Sequence, residues 1–319
     1  MRWGCSCSWS GRSRVRCSPA DFSSGSDPVT SVQRWLRWSA IANLVVNIGI
    51  VVTGGAVRLT ASGLGCPTWP KCTEDNLVYH EDLGFHGAIE FGNRMLTFVL
   101  VVVAVACFAF ALANVVTTQN RGRWAILWLS VGIALGIPAQ AVVGGITVLT
   151  DLNPWIVAIH LLISMGMIGL CVWLVDEVMG PVRPAASAPS RALAWTVLAV
   201  GAVVLWLGTV VTGSGPHAGD EKAPRNGLDP AVASHVHGFA VWALVLLTIT
   251  LMVLAARRNE RTLAFFASVL LGIELGQGVL GYVQYYTDLP GLLVGLHMLG
   301  AALVAAGLAR VVLTTRARA

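Results

Sequence analysis

Five of the seven histidines, His86, His160, His235, His237 and His297, fall in long apolar stretches where a polar ring is costly to keep. His160 lies six residues after Pro154, His237 seven after Pro230 and His297 seven after Pro290. If each proline opens a helix, a 1.5 Å rise per residue puts the rings ~9–10 Å inside the helix end. Imidazoles facing one another at one depth suit axial ligation of a heme iron, and helix bundles commonly hold cofactors this way. For a lone histidine, the plainer reading is a hydrogen bond to a neighbouring helix; recurrence at matched depth favours ligation. His235 and His237 are two apart and point to different faces, so only one can face His297, and depth selects His237. A zinc site is disfavoured because no cysteine or carboxylate cluster joins the histidines.

A second group lies in Phe85-His86-Gly-Ala-Ile-Glu90-Phe-Gly-Asn93-Arg94. Spacings of four and three put His86, Glu90 and Asn93 on one helix face. Glu90 there is either a proton acceptor beside a substrate or half of an ion pair with Arg94 that holds the structure together. Cys66 and Cys72, six residues apart in a proline-containing loop, can close a small disulfide ring in an oxidising compartment. Cys107 and Cys171 read as small packing residues.

The elements that position these groups are transmembrane helices. The 319 residues are 55% hydrophobic and 12% charged, whereas soluble domains carry about 25% charged residues. Eight apolar spans are expected near 38–58, 84–113, 124–149, 155–176, 192–213, 232–255, 262–286 and 292–313. Arginines collect in one set of connections (Arg34 and Arg37; Arg121 and Arg123; Arg183 and Arg191; Arg257, Arg258 and Arg261; Arg316 and Arg318), whereas Glu74, Asp75, Glu81, Asp82, Asp151, Asp220, Glu221, Asp229 and Asp288 occupy the others. By the positive-inside rule both termini are cytoplasmic, and loops 59–83 and 214–231 lie outside. The net charge of +5 is therefore topological, and no nucleic-acid partner is expected. Residues 1–37, with Cys5, Cys7 and Cys17, read as a cytoplasmic, disordered tail.

The chain repeats itself. Gln140, Gly144, Thr150, Asp151, Leu152 and His160 recur as Gln277, Gly281, Thr287, Asp288, Leu289 and His297 at a constant offset of 137. Thr53-Gly54 and Thr212-Gly213 echo more weakly. The expected fold is an all-α integral membrane protein of eight helices, arranged as two pseudo-symmetric parallel four-helix bundles. The halves are 38–178 and 192–313, the linker 179–191, and 314–319 a second cytoplasmic tail. Glu274 has no counterpart in the first half, where Ile137 stands, and suits proton movement or helix contact.

At this point the sequence resembles the heme A synthase family, over roughly residues 40–313. The likeness rests on the Gly54–Pro70 run Gly-Gly-Ala-Val-Arg-Leu-Thr-Ala-Ser-Gly-Leu-Gly-Cys-Pro-Thr-Trp-Pro, on Glu90 with Asn93-Arg94, and on the segments ending at His160 and His297. The resemblance implies an oxidoreductase of the cell membrane that converts the C8 methyl of heme O to a formyl group, giving heme A for terminal oxidases. It further implies heme b held by His237 and His297 in the C-terminal half, heme O received in the N-terminal half with His160 as ligand, an essential acid at Glu90, and a disulfide at Cys66–Cys72. Arg58 and Arg94 can pair with heme propionates. Expected partners are heme O, heme O synthase and an electron acceptor. One departure stands out: the family's Glu-x-x-His-Arg motif has Asn93 at the histidine position. His86, about two turns nearer the outer surface, can replace it as a heme O ligand. The competing reading is a non-catalytic di-heme b-type electron carrier. A transporter is disfavoured because the polar residues gather towards one side.

Overall fold

A computed structural model describes residues 28–118 and 124–318. The described residues form eight α-helices: α1 Pro28–Leu59, α2 Gly84–Thr118, α3 Trp124–Leu149, α4 Pro154–Met179, α5 Ala188–Ser214, α6 Pro230–Arg257, α7 Arg261–Tyr286 and α8 Gly291–Thr314, with a short 3-10 turn at Glu81–Leu83 before α2. All eight are long and apolar enough to cross a membrane. The expected residues 1–27, including Cys5, Cys7 and Cys17, and the loop arginines Arg121 and Arg123 lie outside the described residues.

Helix starts follow local chemistry. Asn153 accepts a hydrogen bond from the Trp155 amide at 3.1 Å, and Pro154 occupies the first helical position of α4. Asp229 does the same for Ala231 and Val232 at 2.7 and 3.1 Å, ahead of Pro230 in α6. The prolines that set the expected histidine depths therefore do begin α4 and α6, while Pro290 immediately precedes α8. The first helix differs from its expected span: it begins at Pro28, ten residues ahead of the apolar run. Helix formation needs backbone hydrogen bonds, not apolar side chains, so a polar first turn can extend past the span.

Packing closes two rings. In the first, α1 contacts α2, α2 contacts α3, α3 contacts α4, and α4 returns to α1; α5–α8 repeat that order. Across the halves the contacts are α1 with α8, α4 with α5, and α4 with α8. This pattern maps onto itself when the halves are exchanged, with α4 and α8 at the centre. Each ring has its own apolar core, around Ala104, Ile133 and Leu174 in one and Val197, Leu251 and Leu270 in the other. A third cluster of Val51, Met165, Ile168, Ala302 and Ala305 joins them. Phe98, Trp128, Leu135 and Phe239 stay exposed, as lipid-facing residues should.

The 137-residue repeat is also conformational. Asp151 and Leu152 (φ 53° and 58°) and Asp288 and Leu289 (57° and 56°) take left-handed backbone at equivalent turns. A leucine rarely adopts that region because its Cβ crowds the next carbonyl. The α3–α4 and α7–α8 turns thus share the same costly geometry, and both deliver a histidine-bearing helix.

Candidate functional site

The histidine-bearing helix ends and the long connections 60–83 and 215–229 share one side of the molecule. In the C-terminal half, His237 of α6 and His297 of α8 line one cavity of about 490 Å³, together with Val204, Gly208, Glu274 and Gly281. The Nδ1 atoms of both histidines are buried without a hydrogen-bond partner. Each ring lies against a glycine of the neighbouring helix. A side chain at Gly208 would meet the His237 ring at 3.4 Å, and one at Gly281 would meet His297 at 3.6 Å. His235 also borders this cavity, but it is exposed and its Nδ1 is bonded to the Ala231 carbonyl at 2.6 Å.

A predominantly apolar cavity of this size is ordinary for a bound organic group. Two imidazole Nδ1 atoms buried without partners in one cavity are unusual for a finished core, since buried polar atoms are normally satisfied. The residues fit a flat, iron-bearing macrocycle held between the two rings.

In the N-terminal half, His160 of α4 repeats the arrangement. Its Nδ1 is buried without a partner, and a side chain at Gly144 of α3 would meet the ring at 3.2 Å. Gln140 anchors the same turn by donating to the His160 carbonyl (3.0 Å) and to Ser164 (2.5 Å). Asn93 accepts a bond from Thr53 at 2.8 Å and ties α2 to α1. His86 sits near the start of α2, exposed, with Nδ1 2.9 Å from the Ser62 hydroxyl. Anchoring one ring nitrogen is how the other is oriented towards a ligand.

Glu90 is 5% exposed and fully engaged. One carboxylate oxygen accepts from the Cys66 amide at 2.6 Å; the other accepts from Arg94 Nε at 3.2 Å and Nη2 at 2.5 Å. Arg94 also donates to the carbonyls of Lys71, Cys66 and Thr68. Cys66 and Cys72 are joined, with Cα atoms 4.5 Å apart. The ion pair therefore clasps the disulfide loop to α2. The loop's remaining weight rests on close backbone approach: any side chain at Gly65 would run into the His86 backbone, and one at Gly145 into the Trp69 ring.

Arg58 bridges the halves by donating to the carbonyls of His217 and, at 2.9 Å, Thr212. Both arginines expected at propionates thus spend donors on backbone carbonyls. Glu274 is buried, accepts from Thr248 of α6 at 3.0 Å, and leaves its other oxygen without a partner in the cavity wall. The glycines Gly208, Gly144 and Gly281 and the anchor Ser62 were not singled out for contact with histidines. For Gly144 and Gly281, their place in the repeat was the available signal.

An eight-helix, all-α membrane protein with duplicated histidine-bearing halves is the class this geometry defines. The chain belongs to the COX15-CtaA family of cytochrome oxidase assembly proteins, whose model matches residues 37–219. It is similar to curated proteins named Heme A synthase. That of Geobacillus thermodenitrificans is 26% identical over 159 residues, covering 50% of this chain and 47% of the relative. That of Staphylococcus epidermidis is 22% identical over 280 residues, covering 83% and 90%. That of Listeria welshimeri is 32% identical over 133 residues, 40% of each chain. The match thus spans about half the length of the Geobacillus protein and nearly all of the Staphylococcus one.

Proposed function

We propose that the protein is a heme A synthase, a membrane oxidoreductase that converts the C8 methyl of heme O to a formyl group and gives heme A for terminal oxidases. The observation that carries this reading is the pair His237 and His297, unpartnered at Nδ1 in one apolar cavity, with His160 repeating the ring-on-glycine arrangement in the other half. The relatives' names and the family support the same reaction.

In this reading His237 and His297 hold heme b, and the glycines at 208 and 281 let the rings approach the helix backbone. Bound heme would supply an iron able to exchange electrons. His160 and His86 receive heme O, with Ser62 fixing the His86 ring. Glu90 accepts a proton released as the methyl is oxidised. Because Glu90 also holds Arg94 and the Cys66 amide, protonation would weaken the clasp, so proton uptake and loosening of the disulfide loop are coupled. Arg58 and Arg94 retain capacity for propionates only through donors not already given to carbonyls. Both termini are assigned to the cytoplasm and the histidine side to the outside of the cell membrane. Heme O synthase and an electron acceptor are the expected partners.

Solvent extraction of the purified protein and chromatography with mass detection test the reaction. Heme b together with heme O, heme A or hydroxylated intermediates is expected. Heme b alone would identify an electron carrier, and absence of any heme would reject both.

A further inference from the structure

On the side opposite the histidines, α4 ends at a buried charge. Asp176 is 3% exposed and meets three arginines. Arg183 of the linker pairs with both carboxylate oxygens, at 3.0 and 2.7 Å. Arg310 of α8 contacts one of them directly, and Arg318 lies 4.0 Å from the other. Arg183 and Arg318 also exchange backbone hydrogen bonds at 3.0 and 2.8 Å, which fixes the linker against the C-terminal segment. The Nε of Arg183 is buried and has no partner. Arg316 lies over the Trp173 ring at 4.8 Å, and the Trp173 indole donates to Glu177 at 3.0 Å. Arg183, Arg316 and Arg318 line a cavity of about 750 Å³ with Arg37 of α1, Asp176 and Glu177.

Five guanidinium groups here face two carboxylates. Arg183, Arg310 and Arg318 have side chains only 4, 17 and 21% exposed, so solvent screens them poorly. Arg37 and Arg316 are exposed at the mouth of the cavity, but the three poorly exposed guanidinium groups share one buried carboxylate, and positive charge held there is costly without an anion. Tying α4 to α8 explains a single Asp–Arg pair; it does not explain the surplus or an open cavity beside it. The cluster sits at the last turns of α4 and α8, and helices of 24–26 residues reach from the apolar core into the headgroup layer. Guanidinium groups match phosphate oxygens in charge and shape, and basic pockets between helices at this level bind anionic headgroups.

We infer that this cavity binds a phosphate group, that of an anionic phospholipid, through Arg37 and Arg316, while Arg183 and Arg310 hold the Asp176 carboxylate and Arg318 gives its Nη donors to the Asp176 and Glu177 carbonyls. The site stands independently of the heme assignments.

The test is thermal unfolding of the delipidated full-length protein in detergent, with phosphatidylglycerol, phosphatidylcholine or inorganic phosphate added. Phosphatidylglycerol should raise the midpoint by about 5 °C, phosphatidylcholine should not, and the gain should shrink with added salt. The double variant R37Q/R316Q leaves the Asp176 pairs intact and should lose most of that gain. If inorganic phosphate raises the midpoint equally and saturably, the anion site stands and its occupant is free phosphate. Equal responses to the two lipids, or a phosphatidylglycerol response unchanged in R37Q/R316Q, would overturn the inference.

Discussion

Replacing Glu90 by Gln separates its two roles. The carboxylate accepts from the Cys66 amide through one oxygen and from two Arg94 nitrogens through the other. A glutamine has one acceptor oxygen. If that oxygen faces Arg94, its NH2 confronts the Cys66 N–H; if it turns, the NH2 confronts the guanidinium. Either way a buried donor loses its partner, at a cost of about 1–3 kcal/mol. The lost charge attraction adds to this but falls short of the ~3–5 kcal/mol of a fully buried pair, because the Arg94 side chain is 18% exposed and keeps three carbonyl acceptors. A total of about 2–4 kcal/mol corresponds to a melting midpoint lower by roughly 3–6 °C for a chain of this size. Thermal unfolding in detergent measures that shift, and heme extraction at low temperature measures product per folded molecule. Arg94→Gln breaks the same pair and keeps the carboxylate, so it should lower the midpoint comparably yet keep making heme A. Glu90→Gln should make little. Two results would refute this reasoning. An unchanged midpoint in Glu90→Gln would mean the clasp contributes nothing. Equal, substantial heme A from both variants would leave Glu90 as an anchor and remove it from the chemistry.

His237→Ala and His297→Ala should each abolish one low-spin b-type spectral component and leave heme binding in the other half; unchanged spectra in both would void the assignment. His86→Ala should reduce heme O retention several-fold in a filtration assay, whereas Asn93→Ala, which loses only the Thr53 hydrogen bond, should cost about 1 kcal/mol of stability and little retention; the reverse ranking would return the ligand role to position 93. Mass spectrometry of non-reduced, alkylated protein should find Cys66 and Cys72 joined, and two modified thiols would contradict it. Single cysteines placed at Glu221 and at Ala185 should be labelled from outside and inside the cell respectively; labelling of position 221 from the cytoplasm would invert the orientation.

The helices were legible because span length and proline position are properties of the chain itself. The expected spans of α3 and α7 match their helices to within a residue, and Pro154 and Pro230 open α4 and α6. The depth argument that chose His237 over His235 rests on that spacing, and the structure puts only His237 among the buried ring nitrogens. Helix-face spacing placed Glu90 beside Arg94, but not the Cys66 amide, which is 24 residues away and arrives by loop closure. The Asp176 cluster went unread, although Arg310 fell inside an expected span, because its members come from α4, the linker, α8 and the C-terminal segment. Pattern along a helix is local; the meeting of four segments is not.

The two halves share a frame and differ where their occupants would need to differ. A cofactor that stays favours two ligands and enclosing walls, because each added ligand slows its escape. In the proposed assignment the C-terminal half offers the two ligands: His237 and His297 line one cavity, with Glu274 bonded across α6 and α7. A substrate that must enter and a product that must leave are served by weaker ligation and a cover that can open. The N-terminal half has one histidine with a buried Nδ1, an exposed histidine, and a loop held by an ion pair whose acid is the proposed proton acceptor. In the proposed reaction, the proton that Glu90 takes up removes the charge that holds Arg94. Turnover would then weaken the clasp over the product's own exit. That link predicts that a variant with the loop tethered to α2 by a second covalent bridge should still oxidise bound heme O once, yet release heme A slowly. Single-turnover formation separated from release by rapid filtration would show it, and unimpeded release from the tethered protein would rule the link out.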